Sequence, residues 1–327
     1  MHSYIFVLFE LLQCKCAMAD SESRTSPSAT LSHEYSLAVQ TPSYNEIWSK
    51  IHQRDGDGNE ELVLEHVLHP SRECVQEALR HAEESNNNAL TRLVSDYFRH
   101  TEDATRLCLL LHRSVYRARA LYAPLHQLLQ VLEDLSVNQS QCSHAFQIFL
   151  RFDRHDNPFL PPDSHSLDDT CRLFTDLKRQ LDRRIRRGSG GCCGGKDMKQ
   201  LDASAKGTCV LNVYLANIDR LGRRLHTAVE GDKDCIRVGL ERGAQDRHPI
   251  QEVFKQLRKG HPNFLQLVNK LDQQICLCFI NTVNRDRSLL LQHLYTLYNL
   301  QTPHIILCIF FLFNTCTCDS VHCFQFI

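Results

Sequence analysis

The sequence is short of the residues that interrupt helices. Of 327 residues, 13 are glycine and 10 are proline. A sandwich or barrel of short strands needs a turn roughly every ten residues, and Gly and Pro supply most of them. No segment alternates apolar and polar residues for more than a few positions, so a half-buried sheet is excluded as the main layer. Excess charge of one sign is also missing: 37 Lys and Arg face 38 Asp and Glu, for a formal net charge of -1. That balance argues against a general nucleic-acid binder, which carries a strongly basic face. Long apolar runs are absent too. Tyr4–Leu12 contains Glu10, and Ile305–Phe313 is nine residues long. A bilayer span needs about 20.

Local catalytic patterns are missing as well. There is no nucleophile elbow and no HExxH, so no enzyme activity, catalytic residue or cofactor is expected. The 16 cysteines form no evenly spaced framework and read as reduced, mostly buried thiols. The pairs Cys14/Cys16, Cys192/Cys193, Cys276/Cys278 and Cys316/Cys318 lack the spacing of a structural zinc site. Cys276 and Cys278 lie in an apolar helical run and are expected in the core. Asp55-Gly-Asp57-Gly-Asn59-Glu60 begins like a calcium loop. It then places Glu60 where the turn needs Gly and His66 where a bidentate Glu belongs. No metal is expected. The sequon Asn138-Gln-Ser140 is more simply a helix cap.

What is present is helix. Ser43-Tyr-Asn-Glu46 is a capping box ahead of Ile47, Trp48 and Ile51, and Pro70-Ser71 opens a second helix. Apolar residues then recur at spacings of three and four from Ala89 to about Leu135, with Pro124 expected to kink or restart the run. A shorter helix is expected over Gln141 to Phe152, followed by the loop DRHDNPFLPPDSHS. Ser166 with Asp169 caps a helix carrying Cys171, Phe174, Leu177, Leu181 and Ile185. A long seam runs from Leu211 through Ile218 and Leu225 to Val229. Ile250, Val253, Phe254 and Leu257 make a short helix ended by Gly260. Phe264 to Cys278 makes the next. The expected fold is all-α, an elongated bundle with coiled-coil-like long helices. The expected organisation is an atypical, disordered stretch over 1–30, helical regions over 31–187 and 201–300, a Gly/Cys linker over 188–200, and an atypical apolar, Cys-rich tail over 301–327. Both ends are expected to be gene-model artefacts.

Within the linker, Gly190, Gly195 and Lys196 mimic a phosphate-binding loop. The position after the lysine must hold Ser or Thr for Mg²⁺ and is Asp197, and a basic helix stands where a strand belongs. A flexible linker is the plainer reading, and a nucleotide-binding switch through the 190–196 loop is kept as an alternative function. The basic helix itself ends in Lys178, Arg179, Arg183, Arg184, Arg186 and Arg187. Cations suit a helix C-terminus, and they also suit the anionic, cytoplasmic surface of a membrane.

The stretches SHEYSLAVQTPSYNEIWSKIH, LVSDYFRHTEDATRLCLLLHRSVYRARALYAPL, FDRHDNPFLPPDSHS, RLHTAVEGDKDCIRVGLERG and HPIQEVFKQLRKGHPNFLQLVNKL occur in that order. Over about residues 31 to 294 the chain resembles the plant uncharacterised protein family 0496, which includes integrin-like proteins. The resemblance implies a helical, non-enzymatic scaffold or adapter at the cytoplasmic face of the plasma membrane, with protein partners in the cytoskeleton or cell wall. It assigns no catalytic residues. It also implies an apolar membrane hairpin after the basic helix. Between Arg187 and Asp202 the chain has 14 residues, five of them glycine. A two-pass hairpin needs about 40. The glycine tract therefore reads as a scar where the hairpin is missing. A form without it is expected to be peripheral or cytoplasmic, with self-association or competition with membrane-bound forms as the alternative role.

Overall fold

The computed structural model describes residues 89–131, 139–161, 166–188, 195–241 and 247–298, with a few positions between 36 and 49. The capping box at Ser43, the acidic turn at Asp55, the helix after Pro70, residues 189–194 and both apolar ends lie outside the described residues. Five helices account for nearly all that is described. They are α1 (Ala89–Val131), α2 (Gln139–Arg154), α3 (Ser166–Gly188), α4 (Gly195–Glu241) and α5 (Arg247–Tyr298). Among the described residues there is no strand, so the chain is all-α.

The helices pack as the periodicity requires. On α4, Leu211, Leu215, Ile218, Leu225, Val229 and Ile236 are fully buried and recur at three-, four- and seven-residue steps, which puts them on one stripe. Burying a side chain of this size contributes about 1.5–3 kcal/mol. This stripe makes α4 the central element. It packs most extensively on α5 and α3, while α1 leans on α5 and α3, and α2 fills the space against α4, α1 and α5. Residues from both expected helical regions share one apolar core, from Leu93 to Ile280. At a rise of about 1.5 Å per residue, α4 is roughly 70 Å long.

Polar pairs fix the directions. Arg223 of α4 reaches Asp168 at 3.0 Å and Asn212 donates to Thr175 at 3.1 Å, so α3 and α4 are antiparallel. Arg119 of α1 meets Asp272 of α5 at 2.8 Å, and His126 meets His261 at 2.8 Å, so α1 and α5 are antiparallel as well. Gly239 of α4 lies directly against Val253 of α5. The start of α1, the end of α3, the start of α4 and the end of α5 therefore share one end of the bundle. The end of α1, the end of α4 and the start of α5 share the other.

α1 runs on through Pro124, so the run does not restart there, and the stop expected at Gly260 does not occur: α5 runs through both Gly260 and Pro262. The short helix expected to stop at Gly260 and the next one are a single 52-residue element. Packing explains it. Val253, Phe254 and Leu257 before the interruption are buried, and so are His261, Phe264, Leu267 and Val268 after it. One proline costs about 3 kcal/mol in a helix interior, which the burial of two such side chains offsets.

Candidate functional site

The end where α1, α4 and α5 meet carries a partly buried polar network. Tyr122, 2% exposed, stacks on Phe264 with ring centroids 3.7 Å apart, and Phe152 of α2 meets it edge-on. Its hydroxyl donates to Asp232 Oδ2 at 2.6 Å. Burial pushes the Asp232 carboxyl above its ordinary range, and the Tyr122 hydrogen bond works against that shift. Burial also raises the Tyr122 phenol, helped by the Asp232 charge. Beside them His126 Nδ1 and His261 Nε2 lie 2.8 Å apart, and Gln130 Nε2 is 2.9 Å from His126 Nε2. Burial lowers His261 below the usual histidine range, and His126 lowers it further. A neutral pair satisfies this chain, because a bond between two ring nitrogens needs one donor and one acceptor.

The loop after α2 is strapped along α4. Asn157 Nδ2 donates to the His226 carbonyl at 3.1 Å and to Glu230 at 2.8 Å, and its Oδ1 accepts the Phe159 N–H. Lys233 Nζ donates to the His155 carbonyl at 2.6 Å, and Arg237 pairs with Asp153 at 2.7 Å. Phe159 is buried beneath the loop. The sequence stretches FDRHDNPFL, AVEGDKDCIRVG and GHPNF thus meet in one place. Each was visible in the sequence, but their convergence was not, since Tyr122 and Asp232 lie 110 residues apart. The network is structural in character. Its donors and acceptors are matched to one another.

The opposite end carries the basic helix terminus. Of the six cations there, two are engaged along their own helix. Lys178 pairs with Asp182 at 2.9 Å, which raises its pKa, and Arg179 pairs with Asp176 at 2.8 Å. Arg183, Arg186 and Arg187 are exposed and Arg184 is half-buried. None of these four makes an ion pair with a described residue. Leu177 and Leu181 are buried, so the exposed arginines lie across the helix from the core. Lys196 falls in the first turn of α4, and the element before the glycine tract is helix α3 rather than a strand.

None of the seven described cysteines is in a disulfide. Cys108, Cys142, Cys276 and Cys278 are buried, and Cys209 is exposed. Among the described residues no group of three or more His, Cys, Asp or Glu side chains could hold a metal ion. No described helix is long and apolar enough to cross a membrane.

Fold and site together define a class: an all-α bundle in which α3, antiparallel to α4, ends in arginines that make no ion pair with a described residue. A UPF0496 protein of Arabidopsis thaliana is 39% identical to the chain, over 84% of this chain and 91% of that protein. The chain belongs to the UPF0496 family, which is uncharacterised. The rice proteins designated UPF0496 protein 2, from the indica and japonica subspecies of Oryza sativa, are 33% identical over 89 residues, 27% of this chain and 21% of theirs. No protein-family model matches the chain, and no solved structure does. The Arabidopsis alignment runs over 334 positions but takes in 84% of 327 residues, or about 275. The difference, about 59 positions, is sequence that the relative has and this chain lacks.

Proposed function

We propose that this chain is a non-enzymatic helical scaffold that meets an anionic membrane surface through the arginine end of α3. The observation that carries the reading is the set of four cations, Arg183, Arg184, Arg186 and Arg187, left without a carboxylate partner among the described residues while Lys178 and Arg179 are paired. The geometry of the junction supports it. α3 and α4 are antiparallel neighbours, so a hairpin inserted between Gly188 and Gly195 leaves and re-enters the bundle side by side. The roughly 59 positions that the Arabidopsis relative has in excess exceed the ~40 residues of a two-pass hairpin. This form then keeps the juxtamembrane cations and lacks the span.

Each Lys or Arg near an anionic surface contributes about 1 kcal/mol, and four contribute about 4, an affinity on the millimolar scale. The test is co-sedimentation with anionic and neutral vesicles over a salt series. Binding is expected only to anionic vesicles, weakly, and lost at high salt as screening shortens the Debye length. Replacing the four arginines with Gln is expected to abolish it. Binding that survives both that replacement and high salt refutes the reading.

A further inference from the structure

We infer that Arg183, Arg186 and Arg187 form a recognition face for lipid headgroups bearing phosphomonoesters, rather than a general cationic contact. The inference rests on the membrane reading above and narrows it to one chemical class. Two facts carry it. The cations of the cluster that make no ion pair with a described residue are all arginine, while its one lysine, Lys178, is tied to Asp182. The three exposed ones stand at positions i, i+3 and i+4 of one helix.

That spacing puts three guanidinium stems on one face with Cβ atoms about 5–6 Å apart. At 100° per residue they fall within about 100° of arc, across the helix from buried Phe174, Leu177 and Leu181. Guanidinium is a planar fork that binds phosphate oxygens through two parallel N–H donors, whereas ammonium acts as a point charge. A phosphomonoester carries about -1.5 to -2 charge near neutral pH and three acceptor oxygens. A phosphodiester such as that of phosphatidylserine carries one charge and has two free oxygens. Three forks converging on one face can saturate the first and not the second. The helix C-terminus opposes an anion with about half a negative charge, which three full cations outweigh.

The experiment compares vesicles of matched surface charge. One set carries phosphatidylserine, and the other carries phosphatidic acid or a phosphoinositide. The full chain is expected to bind the phosphomonoester vesicles at least fivefold more tightly. A variant with Arg183→Lys, Arg184→Lys, Arg186→Lys and Arg187→Lys keeps the charge. It is expected to bind phosphatidylserine vesicles like the parent while the preference falls to about one. Three of these positions are exposed and one half-buried, and helix content by circular dichroism checks that the variant is folded. Equal binding of both vesicle types by the parent overturns the headgroup inference and leaves the membrane reading standing. So does a preference that the lysine variant retains. No binding to any anionic vesicle overturns both. Soluble inositol phosphates bound as tightly as the vesicles overturn the assignment to a lipid.

Discussion

Adding one methyl group to α4 is expected to have opposite effects eight residues apart. At Gly231, which is exposed, a Cβ meets nothing within 4 Å. Alanine there removes the entropic cost of a helical glycine, and stability is expected to rise by about 0.5–1 kcal/mol. At Gly239 the same Cβ falls 2.6 Å from Val253 Cγ2, where ordinary contact begins at 3.4 Å. Close to 1 Å of separation must be found. Val253 is 4% exposed and β-branched, so in a helix it has essentially one rotamer and cannot swing away. The backbones of α4 and α5 must part instead. Overpacking of this kind costs about 1–3 kcal/mol, and the helix-propensity gain returns about 1. Gly239→Ala is therefore expected to lower stability, and because both variants gain the same propensity term, they are expected to differ by the overpacking cost, about 1–3 kcal/mol. Urea unfolding followed by circular dichroism measures both. Val253→Ala introduced into the Gly239→Ala background removes the clashing methyl. It is expected to cost less there than in the parent, with a coupling of about 1 kcal/mol or more. A stabilised Gly239→Ala, or strict additivity in the cycle, refutes the claimed closeness of the two helices.

Acid should loosen the fold. His261 and His100 are both held below the ordinary histidine range, chiefly by burial. A lowered histidine binds fewer protons folded than unfolded, so its contribution is present above about pH 6.5 and is lost as pH falls below that value. Stability measured from pH 8 to 5 is expected to fall, with a shallower slope in His261→Gln; an unchanged slope counts against the burial argument. Asp232 has the opposite sign, since its raised pKa favours the folded state at low pH and that contribution is lost as pH rises through the shifted value. Tyr122→Phe removes the donor to Asp232 and is expected to cost about 1.5–3 kcal/mol, the range for hydrogen bonds to charged groups, and to raise the Asp232 pKa further by titration. Asn157→Ala releases the strap on α4. Limited proteolysis should then cut within residues 155–161 faster than in the parent, and an unchanged rate means the loop is held by Phe159 alone. Ile218, fully buried, should not tolerate Asp: a loss of about 3–5 kcal/mol is expected in thermal unfolding, and a variant as stable as the parent shows the seam unpacked.

The all-α class was readable because periodicity survives any change in helix count. The stripe from Leu211 to Val229 marks a helix whether or not its ends are known, and α4 extends beyond it in both directions. Breaks were harder. Pro124, Gly260 and Pro262 each oppose a helix locally, and sequence alone weighs that local cost against nothing. In the folded chain His261 and Phe264 complete a surface that Tyr122 stacks on, and this distant partner decides the matter. The convergence of Tyr122, Asp232, His126 and His261 was illegible for the same reason. No spacing within one segment signals a contact made across three helices.

The basic end was legible in the sequence, and so was the pairing of two of its cations along the helix. Six cations were apparent, yet Asp176 stands three residues before Arg179 and Asp182 four after Lys178. At those distances oppositely charged side chains meet on a helix, so the sequence itself held the signal that two of the six are engaged. The balanced composition conceals the remaining four. The formal net charge of -1 is a sum over the whole chain, so a local run of +4 at Arg183, Arg184, Arg186 and Arg187 leaves no trace in it. Composition argues against a basic face only on average, and a face one helix turn long escapes that argument because screening makes the interaction of exposed charges local, within a Debye length of about 8 Å.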